Sequence, residues 1–216
     1  MLKAILFDMD GTLSNTLTDL EVALNYTLKK LSLPLRSSKE VLSFVGNGID
    51  ALVMRGLGEE NMDKFEVALP IFKDYYKDHL TDYTRPYDGV DEVIDTLKEM
   101  GIKVGIVSNK LQSPLEEIVK SFWGDKIDAV CGITDFYPSK PHPDMVHICL
   151  NRMGAKLEEA IYVGDSLVDV ETAKNAGAKF VACSWGFCTK EKLIEAGAND
   201  IIDEPKEVLN YFKQDT

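Results

Sequence analysis

Cysteine and histidine are scarce in this chain. Its 216 residues include four cysteines, Cys131, Cys149, Cys183 and Cys188, with no CxxC spacing. That pattern reads as reduced core thiols rather than a disulfide framework or a zinc site. The three histidines, His79, His142 and His147, fall at no metal-ligand spacing and read as structural or surface groups. Basic residues are also few: 24 Lys and Arg stand against 36 Asp and Glu, giving a formal charge of -12. Nucleic acid is excluded as a partner, because phosphate backbones are bound by an excess of lysine and arginine. No window approaches the roughly 20 apolar residues that span a bilayer. The amino-terminal run Leu2–Phe7 is broken by Asp8 too early to serve as a secretory signal. A cytosolic protein without a membrane partner is expected, acting as a monomer or homodimer.

Hydrophobic residues make up 45% of the chain, ample for a buried core. From Tyr87 onward, amphipathic helices alternate with short apolar strands. Helices are expected at 89–100, 114–122, 143–153, 167–176, 189–196 and 205–212, and strands at 102–107, 129–131, 161–163, 180–182 and 200–202. Strands separated by helices of this length pair in parallel, so the fold class is α/β with a doubly wound parallel sheet. Glycines after the last helical turn, Gly101, Gly154, Gly177 and Gly197, fit helix carboxyl caps. Residues 16–85 break the rhythm with helical patterns and no convincing strand. Leu20, Leu24, Leu28 and Leu31 mark one helical face, and Phe65, Leu69, Phe72, Tyr76 and Leu80 another. This stretch reads as a small helical unit inserted after the first strand, dividing the chain into a core of 1–15 with 86–216 and an insert of 16–85. The Lys213–Thr216 tail is expected to fray.

Four short segments carry chemistry. Phe7-Asp8-Met9-Asp10-Gly11-Thr12-Leu13 follows the first apolar run. Two carboxylates one residue apart, then a glycine and a hydroxyl, suit a cation held beside a phosphate. Strands of open α/β sheets present such groups just beyond their carboxyl ends. Alone, the stretch is equally a strand followed by an Asp-Gly turn. Downstream come Ser108-Asn109-Lys110 after 104–107, Lys140-Pro141-His142-Pro143, and Gly164-Asp165-Ser166-Leu167-Val168-Asp169 after 160–163, each behind its own apolar segment.

In this order the four segments resemble the haloacid dehalogenase superfamily of magnesium-dependent phosphohydrolases, over essentially the whole chain. The resemblance implies a Rossmann-like core with a helical cap inserted between the first and second motifs. It also implies an aspartyl-phosphate mechanism, with Asp8 as nucleophile and Asp10 as the acid that protonates the leaving oxygen and then the base that activates water. Magnesium is the expected cofactor, on Asp8, Asp165 and the backbone carbonyl of Asp10. Asp169 is expected to ligate the metal site or to orient Lys140 or a metal-bound water. Gly11 would let the backbone turn tightly toward the phosphate, Thr12 and Ser108 would donate hydroxyls to it, and Asn109 would add a contact. Lys140, before two prolines that forbid ordinary helix, would place a fixed positive charge on the phosphate and Asp8.

Asp10 argues against the dehalogenase branch, where no alkoxide needs a proton. The stretch Phe44-Val45-Gly46-Asn47-Gly48 and the return segment Thr84-Arg85-Pro86-Tyr87-Asp88-Gly89 are similar to those of phosphoglycolate phosphatases. Asn47, Arg55 and Arg85 are the expected contacts to a small phosphorylated acid. Asn15-Thr16 stands where many relatives carry Asp-Ser, at the hinge of the insert. The expected function is a magnesium-dependent phosphomonoester hydrolase acting on 2-phosphoglycolate. The alternatives are a pyrophosphatase, nucleotide phosphatase or sugar phosphomutase of the same fold, and a phosphoacceptor signalling domain without turnover.

Overall fold

The computed structural model describes residues 1–213; residues 214–216, most of the tail expected to fray, lie outside the described residues. In chain order the elements begin with β1 (Ala4–Phe7), β2 (Ser14–Asn15), α1 (Leu17–Lys30), α2 (Ser38–Phe44), α3 (Gly48–Leu57), α4 (Phe65–Tyr76) and β3 (Arg85–Pro86). There follow α5 (Val90–Glu99), β4 (Lys103–Leu111), α6 (Gln112–Trp123), β5 (Ala129–Ile133), α7 (Asp144–Met153) and β6 (Ala160–Gly164). The chain finishes with α8 (Leu167–Ala176), β7 (Lys179–Cys183), α9 (Lys190–Glu195) and β8 (Ile201–Ile202). It divides into two compact units, Met1–Ser14 with Pro86–Thr216, and Asn15–Arg85. The chain crosses between them at β2 and β3, which pair as a two-stranded sheet.

The larger unit is built on a six-stranded sheet of order β5-β4-β1-β6-β7-β8, and every recorded pairing in it is parallel. A parallel sheet covered by helices on both faces needs strands that are apolar on both sides. The central strands meet that need: all four residues of β1 and all five of β6 are buried. Leu6, Val107, Cys131 and Tyr162 pack in one cluster with Met145, Val146, Cys149 and Leu150 of α7. All four cysteines are free thiols, three of them buried. Helix α5 buries Val90, Val93, Ile94 and Leu97, the i, i+3, i+4, i+7 stripe of a helix laid against a sheet. Helices α7 and α8 end on Gly154 and Gly177 in the left-handed conformation, where a side chain would be strained.

Two expected elements differ. Strand β4 runs on to Leu111 with its pairing to β5 interrupted between Val107 and Leu111, so Ser108-Asn109-Lys110 lies inside the strand and not after it. The expected helix at 205–212 is a 3₁₀-helix, Pro205–Tyr211. Its start is fixed by Pro205 and by a reciprocal cap between Glu204 and Glu207.

The helical unit packs α1 against α4 and α3. Leu20, Leu24 and Leu28 are buried on α1, while Leu31 is its half-buried carboxyl-terminal cap. On α4 the buried stripe is Ala68, Phe72 and Tyr76; Phe65 and Leu69 are only half-buried, and Leu80 is buried beyond the helix end. Gly56 allows α3 to approach α1, since a methyl there would sit 2.5 Å from Leu24 Cδ1. Among the described residues no helix is long and apolar enough to cross a membrane.

Candidate active site

Sheet register assembles the site. Phe7 lies in register with Ile106 of β4 and Val163 of β6. The following residues, Asp8 with Met9, Val107 with Ser108, and Gly164 with Asp165, therefore emerge together at the carboxyl edge of three adjacent strands. The Asp8 N–H still donates to Val163 O at 2.9 Å, so the ladder holds up to the first aspartate. Beyond it the chain turns back: the amides of Thr12, Leu13 and Ser14 donate to Met9 O, and Gly11 N donates to Ser14 O. These amides close the turn on itself. Gly11 has φ +89°, and a methyl on it would lie 2.2 Å from Asp165 Oδ2, so glycine is required both for the turn and for the approach of Asp165.

The carboxylates of Asp8, Asp165 and Asp169 are buried, and each offers an oxygen within 4.8 Å of the others. Lys140 lies among them, with its ammonium 2.8 Å from Asp8 Oδ1 and 2.7 Å from Asp169 Oδ1. It also donates to the Tyr162 hydroxyl at 3.2 Å. A second buried ammonium, Lys110, stands 3.1 Å from Asp10 Oδ1.

Asp169 lies on Lys140, one of the positions expected of it, while several other residues take parts other than those anticipated. Both oxygens of Asp169 are engaged: Oδ1 accepts from Lys140 and from the Tyr162 hydroxyl at 2.5 Å, and Oδ2 accepts from Ser166 N at 3.1 Å and Ser166 Oγ at 2.6 Å. The Ser166 hydroxyl in turn accepts from Asp169 N, a capping box that starts α8. Asp169 thus reaches Lys140 through Oδ1 while remaining a member of the carboxylate cluster. The Thr12 hydroxyl, expected on the phosphate, is wholly buried and donates to Asp165 Oδ1 at 3.0 Å. Asn109, also expected on the phosphate, brackets the backbone of Lys140: its Nδ2 donates to Lys140 O at 3.0 Å and its Oδ1 accepts from Lys140 N at 2.8 Å. The extension of β4 puts it there, beside the loop that carries the cis Lys140–Pro141 peptide. Ser108 is buried, and its hydroxyl accepts from Lys110 N.

Within the helical unit, Arg55 donates to Phe44 O at 2.7 Å and to Asn47 Oδ1 at 2.8 Å. Arg85 donates to the carbonyls of Thr81, Asp82 and Thr84. These three expected substrate contacts are engaged locally, tying the 44–47 turn and the 81–85 return.

Sequence reasoning missed three parts of the site. Lys110 was visible only as the residue after Ser108-Asn109. Tyr162 had a signal, a lone hydroxyl in an otherwise aliphatic strand. The third is the segment after β7: Phe187 N donates to Asp165 Oδ2 at 2.7 Å, and Trp185 Nε1 donates to Thr12 O at 3.0 Å.

The charges gathered here suit a cation. Counted as ionised, four carboxylates, Asp8, Asp10, Asp165 and Asp169, face two ammonium groups, Lys110 and Lys140, a formal excess of two negative charges. Burial, reinforced by the charge of Asp169, pushes the Asp8 carboxyl up to about 7. Burial and the charges of Asp169 and Asp8 push Asp165 well above the usual carboxylate range. Burial works to lower the Lys140 ammonium, but Asp169 and Asp8 outweigh it and the net shift is upward. Tyr162 is pushed well above its ordinary value by burial and by Asp169, so it stays a phenol and a donor. Hard oxygens with a charge deficit of two are the donor set a divalent cation such as Mg²⁺ takes. Asp8 and Asp165 would hold it, with Asp169 in the same buried cluster.

This parallel core with its ordered aspartates and lysine is that of a hydrolase: the chain belongs to the haloacid dehalogenase-like hydrolase family, whose model matches residues 5–183. It is 34% identical over 188 residues to the phosphoglycolate phosphatase of Aquifex aeolicus, covering 86% of each protein. It is 31% identical over 217 residues to the N-acetylmuramic acid 6-phosphate phosphatase of Pseudomonas aeruginosa, covering 98% of this chain and 95% of that protein. A crystal structure from Lactobacillus delbrueckii subsp. bulgaricus superposes with a TM-score of 0.92 at 28% identity, covering 97% of both chains.

Proposed function

We propose that the protein is a magnesium-dependent phosphomonoester phosphatase that acts through an aspartyl-phosphate on Asp8, with 2-phosphoglycolate as its substrate. The observation that carries this reading is Lys140 held between Asp8 and Asp169, 2.8 and 2.7 Å away, beside a cluster of buried carboxylates. The names of the relatives support the class of reaction, and the Aquifex aeolicus relative supports the substrate. Phosphate monoesters hydrolyse extremely slowly unaided, so charge must be neutralised and the leaving oxygen protonated. Magnesium, when bound, supplies the positive charge that lets an anionic carboxylate approach an anionic phosphoryl group. Asp8 attacks phosphorus while its neighbour Lys140 steadies the charge that gathers on the phosphoryl oxygens. Asp10 gives its proton to the leaving oxygen, then removes one from the water that attacks the aspartyl-phosphate. Asp169, Tyr162 and Asn109 keep Lys140 in place, and Thr12 and the Phe187 amide keep Asp165 in place.

The test is magnesium-dependent phosphate release from 2-phosphoglycolate, compared with N-acetylmuramic acid 6-phosphate and pyrophosphate. The expected kcat/KM on 2-phosphoglycolate is on the order of 10⁴ M⁻¹s⁻¹ or above, and it is lost in Asp8→Asn. Preferred turnover of another phosphate ester would overturn the substrate and keep the chemistry. Activity retained by Asp8→Asn would overturn the chemistry.

A further inference from the structure

Lys110 is the penultimate residue of β4, and its side chain is only 2% exposed. Burying an ammonium is costly unless a charge of opposite sign meets it, so the fold accepts this lysine for what it faces. It faces Asp10, at 3.1 Å from Oδ1. The Asp10 side chain keeps 16% of its surface exposed, yet Oδ1 itself is buried and meets the ammonium as an ion pair, with no hydrogen-bond donor on it among the described residues. The two carboxyl oxygens are therefore not equivalent: one is turned inward to the ammonium, and the other belongs to the open part of the side chain.

We propose that Lys110 is a positioning residue for Asp10, fixing which carboxyl oxygen carries the proton that leaves with the product alcohol. The proposal rests on the reading of Asp8 as nucleophile and Asp10 as acid and base. With Oδ1 set against the ammonium in the ion pair, Oδ2 is the oxygen assigned to carry the transferred proton. In the first step the bond from Asp8 oxygen to phosphorus forms and the bond from phosphorus to the ester oxygen breaks. That ester oxygen takes the Oδ2 proton and departs as an alcohol. The carboxylate left on Asp10 lies against Lys110, which stabilises it as it forms. In the second step water attacks phosphorus, gives a proton to Oδ2, and the bond from phosphorus to Asp8 breaks. Protons balance over the cycle, with inorganic phosphate and the alcohol as products.

A residue that acts through the general acid matters in proportion to how badly the leaving group needs a proton. The measurement is kcat/KM, which reports steps up to departure of the leaving group, for 2-phosphoglycolate and for p-nitrophenyl phosphate, whose phenolate departs without protonation. General acid catalysis contributes about 10²–10⁴-fold, so Lys110→Met should lower kcat/KM on 2-phosphoglycolate by at least about tenfold more than on p-nitrophenyl phosphate. Lys110→Arg should recover part of the difference. Lys110→Gln, smaller and polar, serves if the methionine variant does not fold, as judged by circular dichroism. Added to Asp10→Asn, the lysine substitution should cost no further activity on 2-phosphoglycolate. Equal losses on both substrates, or no loss, would overturn the proposal and leave Lys110 a phosphate contact or a structural ion. If Asp8→Asn retains turnover, the underlying mechanism has failed instead, and the two failures are thereby told apart.

Discussion

Gly186 makes room for Asp165: a methyl group on Gly186 would sit 2.3 Å from both Asp165 Cβ and Oδ2, and 2.4 Å from Gly11 O. Neither distance is tolerable, and one of the obstructions is backbone. The loop after β7 is thereby packed directly onto the side chain we assign to the cation, and its next residue, Phe187, donates its amide to that carboxylate.

Gly186→Ala should therefore displace Asp165. Overpacking a tight site costs about 1–3 kcal/mol, and loss of groups that orient a ligand weakens metal affinity about 10–100-fold. Calorimetric titration with Mg²⁺ alone, alongside thermal unfolding, checks both. An unaltered magnesium affinity would show that Asp165 does not hold the metal in this orientation.

On the proposed reading Asp169 acts through Lys140, 2.7 Å from its Oδ1. Replacing it with asparagine keeps the shape, removes the charge 2.7 Å from the ammonium, and leaves the Tyr162 hydroxyl without a carboxylate to donate to. Turnover should fall by about 10²-fold or more, since fixed charge at the transferring group is among the largest catalytic contributions. Magnesium affinity should fall much less than in Asp165→Asn. A comparable collapse of metal binding in both variants would return Asp169 to the ligand set.

Within the helical unit Asp19 is a stabilising residue. It is 2% exposed, stands in the first turn of α1, and accepts from Tyr83 N at 3.0 Å and Thr84 N at 2.8 Å. Hydrogen bonds to a charged group contribute about 1.5–3 kcal/mol, so Asp19→Ala should destabilise by that order or more. Denaturant titration followed by far-ultraviolet circular dichroism provides the measurement.

Asp128 gives a pH dependence with a definite sign. Burial favours its neutral form, but hydrogen bonds from Lys98, Val104 N and Lys103 outweigh burial and hold the carboxyl below its usual value. A carboxyl whose pKa is lower in the folded state stabilises the fold above its unfolded pKa, and that stability disappears as pH falls through the folded value. The window runs from about pH 4 downward. Asp128→Asn should lower stability between pH 6 and 8, where the ionised carboxylate contributes fully, and flatten the profile below about pH 4. A profile as steep as that of the parent protein would mean that other carboxylates govern acid unfolding.

What the sequence determined was the set of strand ends and the residues standing on them. Apolar runs ending in Asp8, Ser108 and Asp165 dictate buried parallel strands, and hydrophobic periods of a helix between them dictate the layers around the sheet, because both follow from interactions local to a few residues. The helical character of 16–85 was legible for the same reason. Tertiary structure alone decided what each side chain does once there. The Thr12 hydroxyl meets Asp165 across 153 positions, and Trp185 meets the Thr12 carbonyl across 173. Neither separation leaves a trace in local pattern. Asn109 reaches Lys140 only because β4 continues past Val107, and Lys110 reaches Asp10 only because β1 and β4 are neighbours in the sheet. Spacing along the chain brings the charged groups to one edge of the sheet, but the partners they find there are set by register and close packing, which only the folded chain supplies.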